Sequence, residues 1–84
     1  MAFVIHPRVA WQVLDGEAIL IDLDRGRTLG LNEAASFLWP RLPASSEEDL
    51  VGALVAEFDV TPQNARRDVH TFLQQLRERG FVQL

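Results

Sequence analysis

Residues 9–32 read VAWQVLDGEAILIDLDRGRTLGLN, and the two turns inside this stretch decide the fold. Asp15-Gly16 lies between two apolar runs, and a two-residue hairpin there needs positive φ, which Gly adopts freely and Asp tolerates. Asp24-Arg25-Gly26 supplies a second turn. Alternation sorts the side chains of the three resulting strands: Val9, Trp11 and Val13 share a side of the first, Ile19, Ile21 and Leu23 of the second, Leu29 and Leu31 of the third. The expectation is a three-stranded antiparallel meander with one apolar face, which helices must cover.

Working outward, helices follow at once. Asn32 is placed to cap a short apolar helix through Ala34, Ala35, Phe37, Leu38 and Trp39, which Pro40 terminates. Ser45-x-x-Glu48 has the spacing of a capping box, and Leu50, Val51, Leu54, Val55 and Phe58 then recur at helical intervals. Thr61-Pro62 opens a third helix, with Ala65, Val69, Phe72, Leu73 and Leu76 as its buried stripe and Gly80 as its end. The closing segment FVQL extends beside the core. The expected fold class is α+β: a winged helix-turn-helix with an N-terminal three-stranded antiparallel sheet followed by three helices.

Size and composition bound the rest. Eighty-four residues make one domain, 1–84, and 48% apolar content argues for a packed core rather than disorder. Cysteine is absent, which excludes disulfides, thiolate metal sites and cysteine nucleophiles. No charged segment leads into a long apolar run at the amino terminus, and nothing approaches roughly eighteen consecutive apolar residues. A cytoplasmic location without membrane contact is expected.

Catalysis needs a base, a nucleophile or a metal site. His6 lies in the leading tail and His70 in the third helix, with no ligand-type spacing between them. Asp68 and His70 are two apart on a helix and do not face each other. Ser36, Ser45 and Ser46 have no base nearby in sequence, and no glycine-rich phosphate loop occurs. The chain reads as a non-enzyme without a cofactor or metal. A winged-helix DNA-binding regulator is the rival reading, since the third helix carries Arg66, Arg67, Arg77 and Arg79. The formal net charge of −4 and the run Glu47, Glu48, Asp49, with Glu57 and Asp59 beyond it, oppose phosphate neutralisation.

The edges of the meander remain. Each outer strand presents a row of unpaired N–H and C=O groups, which proteins normally protect. Pro7 and Arg8 guard the first strand, whereas the third, Arg27 to Leu31, has one charge and Gly30. Two readings stay open here: an extended peptide adds to this edge, with its side chains in a groove against the third helix, or the strand is short enough to be left bare. The helix flank assigned to that groove is Arg66, His70, Leu73 and Arg77, which suits an amphipathic, acidic peptide.

The same residues carry a resemblance. The ILIDL strand, Gly26 ahead of Leu31-Asn32-Glu33-Ala34-Ala35, Trp39, Phe58-Asp59-Val60, Asp68-Val69, Leu73-x-x-Leu76 and Gly80-Phe81 together resemble the PqqD-like family over nearly the whole chain. The resemblance implies a precursor-peptide recognition element, which binds the leader segment of a ribosomally made peptide and presents the core to modifying enzymes. It implies peptide contacts at Arg27, Thr28, Leu29, Gly30 and Leu31 on the strand, and at Arg66, Val69, His70, Leu73 and Arg77 on the helix. Asn32, Trp39 and Phe58 match positions read as structural. The pyrroloquinoline-quinone member carries a Pro-Glu turn between its second and third strands, where this chain has Asp24-Arg25-Gly26-Arg27. That departure turns the expectation from a chaperone of quinone-cofactor synthesis toward the small leader-binding proteins of lasso-peptide pathways. Those work beside a leader peptidase and a cyclase; a monomer or weak dimer is expected.

Overall fold

The structure, a computed structural model, describes residues 3–83. In chain order it contains β1 (Val4–Ile5), β2 (Val9–Leu14), β3 (Glu17–Asp22) and β4 (Arg27–Gly30). Then come α1 (Glu33–Leu38), a 3-10 helix (Trp39–Ala44), α2 (Glu47–Glu57), α3 (Pro62–Glu78) and β5 (Val82–Gln83). It is a small α+β fold with two antiparallel sheets and three α-helices.

The turns set the main sheet. Asp15 and Gly16 take φ of 53° and 80°, and this pair folds β2 back on β3 with Leu14 opposite Glu17. Gly26, at φ 68°, closes the second turn by donating its N–H to the Asp22 carbonyl at 2.8 Å, and β4 returns antiparallel along β3. The resulting order is β2-β3-β4.

That register corrects the expected faces. Trp11 opposes Leu20 and Val13 opposes Ala18, so the buried side of β3 is Ala18, Leu20 and Asp22. Ile19 and Ile21 point the other way, and Leu23 is exposed beyond the strand end. The run Ala-Ile-Leu-Ile offers two alternations of similar hydrophobicity, and only the pairing fixed by the turn selects one.

A second, two-stranded sheet joins the ends of the chain. Val4 and Ile5 pair with Gln83 and Val82, and the His6 N–H adds a bond to the Phe81 carbonyl at 3.0 Å. Of the closing segment, Leu84 lies outside the described residues. Two-residue strands are too short to show alternation, and only the extension of FVQL beside the core was expected, not its pairing with β1.

Each helix has an identifiable start. The Asn32 side chain accepts from the Ala35 N–H at 2.8 Å, and the Thr61 hydroxyl accepts from the Asn64 N–H at 3.2 Å. The capping box of α2 is Ser46 with Asp49, each side chain accepting from the other's N–H, and not Ser45 with Glu48. Pro40 ends the α-helix as expected, yet the chain winds on as a 3-10 turn that also contains Pro43. That turn carries the chain to Ser45, which is extended and leaves Ser46 as the cap. The core packs Leu20 of the sheet with Leu38, Trp39 and Leu42 behind α1, and with Leu54, Leu76 and Phe81.

Candidate functional site

The direction of the main-chain groups in β4 follows from one bond. The Leu31 N–H donates to the Ala18 carbonyl at 2.8 Å, so Leu31 faces β3. In an antiparallel ladder, alternate residues turn both N–H and C=O to the same neighbour. Leu29 and Arg27 therefore also face β3, while Thr28 and Gly30 turn four main-chain groups outward. Among the described residues no strand pairs with that side of β4. A Cβ built on Gly30 would meet nothing within 4 Å, so the sheet face at this residue is sterically open.

The end of β4 is fixed by a side chain. Ser36 Oγ accepts from the Ala18 N–H at 2.7 Å and donates to the Leu31 carbonyl at 3.2 Å. The hydroxyl stands where a direct ladder bond would otherwise form, which ends the strand pairing and turns the chain into α1. Sequence reasoning treated Ser36 only as a rejected nucleophile; a lone serine in a short helix carries no sign of this role.

The segments that flank β4 lead toward α3 and the turn that follows it. Arg25, in the turn before β4, packs so closely on Gly80 that a Cβ there would lie 2.8 Å from its guanidinium. At the other end, a groove of about 380 Å³ opens between Asn32 and Ala35 on one side and Asp68, Thr71, Phe72 and Gln75 of α3 on the other. A second, shallower cavity of about 510 Å³ lies over Gly30, Ile19 and Leu14, and it shares Asn32 with the first. A strand laid beside β4 would offer its alternate side chains to these two spaces in turn.

Two of the expected helix residues stand beside the start of α2. Arg66 stands 3.9 Å from Glu48 and His70 Nδ1 stands 3.9 Å from Glu47, both at the start of α2. His70, Leu73 and Arg77 line a cavity of about 460 Å³ with Phe3 and Glu47, and no β4 residue lines either this cavity or the groove at Asp68. Val69 is fully buried. The buried stripe of α3 has two flanks, and the packing of α2 decides which one turns from the sheet. The flank that shares a groove with Asn32 and the start of α1 is Asp68, Thr71 and Gln75, at i, i+3 and i+7. Of the strand residues, Arg27, Thr28 and Gly30 are exposed, Leu29 is half-buried against the core, and Leu31 is buried.

Electrostatics stiffen the approach to β4. Asp22 is buried, and its carboxylate accepts from the N–H groups of Asp24 and Arg25 at 3.0 and 3.1 Å. The Arg25 N–H bond is the main influence lowering its pKa below the usual carboxylate range, opposed by burial. The Asp24 N–H, the Arg25 guanidinium and His6 add to the lowering. Arg8 Nε closes the turn from outside on Asp24 at 3.0 Å.

Comparison with known proteins bears on this site. Residues 17–82 match the family model described as coenzyme PQQ synthesis protein D (PqqD). Two solved structures share the fold closely. One is TbiB1 in complex with the TbiA(beta) leader peptide: 28% identity, TM-score 0.88, 95% of this chain and 94% of that one covered. The other is a lasso peptide synthetase B1 complexed with the leader peptide: 26% identity, TM-score 0.90, both chains covered in full. No curated protein sequence matches the chain. No described helix is long and apolar enough to cross a membrane.

Proposed function

The chain belongs to the PqqD family, and from that premise we propose that it binds the leader segment of a ribosomally made precursor peptide and catalyses no reaction itself. The observation that carries the proposal is the outward main-chain row of Thr28 and Gly30, beside a groove that α1 and α3 complete. The leader adds as a strand to β4, and its side chains enter the groove at Asp68, Thr71, Phe72 and Gln75. Support comes from two solved relatives above 25% identity, both holding a leader peptide.

Main-chain pairing alone does not hold the peptide. Four hydrogen bonds contribute about 0.5–1.5 kcal/mol each, while ordering each peptide residue costs about 1–2 kcal/mol of backbone entropy. The two roughly cancel over a short strand. Affinity then comes from apolar side chains buried against Phe72 and its neighbours, with the polar rim setting register.

The layout reads as a winged helix-turn-helix whose wing, the main sheet, has been turned to peptide capture. Carboxylates Glu47 and Glu48 stand beside Arg66 and His70, which disfavours phosphate contact there and supports a peptide partner over nucleic acid. The pathway is of the lasso type, in which the domain serves a separate leader peptidase and a cyclase in the cytoplasm. Holding the leader raises the effective concentration of the core at those enzymes. Titration calorimetry with a synthetic lasso-peptide leader, and separately with its core segment, tests the proposal. Saturable one-to-one binding by the leader, and none by the core segment, is expected. Heat from the core alone, or from neither, overturns it.

A further inference from the structure

Among the described residues the main sheet has a second unpaired edge, the outer side of β2. The Leu23 N–H donates to the Arg8 carbonyl at 2.9 Å, so by the same alternation Arg8, Ala10, Gln12 and Leu14 face β3. Trp11 and Val13 turn their main-chain groups outward. Pro7 and Arg8 precede this row rather than interrupt it, and the six residues of β2 carry no charge. Proteins normally blunt such an edge.

The side chains on this edge are apolar and exposed. Trp11 is 46% and Val13 57% accessible, although both lie on the face that packs on the core. The Trp11 ring stands edge-on to buried Trp39, with centroids 5.5 Å apart. From Val13 the surface continues into a cavity of about 390 Å³, whose wall includes Phe37 and Phe58. These rings meet edge to face at 5.4 Å. Single exposed apolar residues are ordinary, but a contiguous run of this kind marks an interaction surface.

The rim identifies the occupant. Glu33 and Glu57 line the same cavity, and Asp59 follows Phe58 directly. Arg41 lies over the Phe37 ring at 3.7 Å and donates to the Phe37 carbonyl, so its charge is already engaged. A second copy docked about a two-fold axis through this hollow would set one acidic rim against the other. We propose that the β2 edge and the Val13–Phe37–Phe58 hollow form a second docking surface, which takes a protein segment presenting apolar side chains flanked by lysine or arginine. This surface is independent of what β4 binds.

Two synthetic octapeptides test the proposal on the full chain. Both have a Val-Phe-Val-Ile centre; one is flanked by two lysines at each end, the other by two glutamates. Half-exposed Trp11 supplies the fluorescence signal. The lysine-flanked peptide is expected to shift it saturably, at least about tenfold more tightly than the glutamate-flanked one, and to weaken as salt rises. Val13→Glu should abolish the shift, and Glu33→Lys with Glu57→Lys should reverse the preference. Gly30→Pro should leave it unchanged. Equal response to both peptides, no response to either, a preference that survives the lysine substitutions, or loss of binding in Gly30→Pro would each overturn the proposal. So would light scattering that shows a dimer excluding the peptide.

Discussion

Gly30→Pro separates main-chain pairing from every other contribution to peptide binding. Gly30 is one of two β4 residues whose N–H points away from β3, and proline removes that donor. The fold should accept the change: the position is exposed, its φ lies outside the left-handed region, a Cβ there meets nothing within 4 Å, and no bond to β3 is lost. Leu29, the preceding residue, is already in a strand, as proline requires of its neighbour. In the complex, the peptide carbonyl facing residue 30 is left without a partner. Leaving a buried acceptor unpaired costs about 1–3 kcal/mol. That corresponds to roughly a 5- to 150-fold rise in Kd. Gly30→Ala keeps the donor and should bind the leader as the parent does. Calorimetry with the leader measures both, and circular dichroism checks that each variant is folded. A folded Gly30→Pro variant with parental affinity would refute strand addition at β4, whatever else the peptide touches.

Three further outcomes follow from the same geometry. Thr71→Arg, which fills the groove on the sheet side of α3, should weaken leader binding, whereas Arg66→Glu on the α2 side should not. The reverse order in a titration would return the peptide to the flank expected from the sequence. Ser36→Ala leaves the Ala18 N–H and Leu31 carbonyl without the bridging hydroxyl, at about 1–3 kcal/mol, or a fall in Tm of roughly 5–20 °C. A thermal melt unchanged from the parent would show that the two groups pair directly instead. Asp22 has a folded-state pKa below its unfolded value, so its contribution to stability is present above the usual carboxylate range. It fades as pH falls through the depressed value. Tm measured from neutral pH into acid should therefore fall less steeply for Asp22→Asn than for the parent, from a lower start. Parallel curves would remove Asp22 as the source of acid sensitivity.

Local chemistry made much of this fold legible. Asp15-Gly16, Asn32, Thr61-Pro62 and Gly80 each have a backbone requirement that few residues meet, and the structure uses all four as expected. What escaped was set by packing between distant segments. The side of β3 that is buried depends on a register that Ala18 to Ile21 does not encode by hydrophobicity. The pairing of β1 with β5 joins segments nearly eighty residues apart. Which flank of α3 shares a groove with Asn32 and α1 could not be chosen from its stripe, because Arg66, His70, Leu73 and Arg77 border it as Asp68, Thr71 and Gln75 do on the other side. The free edge of β4 was readable from turn positions and length. The open edge of β2 was missed because Pro7 and Arg8 looked like guards, and the register shows that they stand before the row they were expected to protect.

Hydrogen exchange at single amides, with and without the leader, tests the central assignment most directly. The Thr28 and Gly30 amides should exchange freely in the isolated domain and become protected when the leader is bound, while those of Trp11 and Val13 stay as they were. Protection that appears at Trp11 and Val13 instead, or no change at Thr28 and Gly30 in a saturated complex, would contradict it.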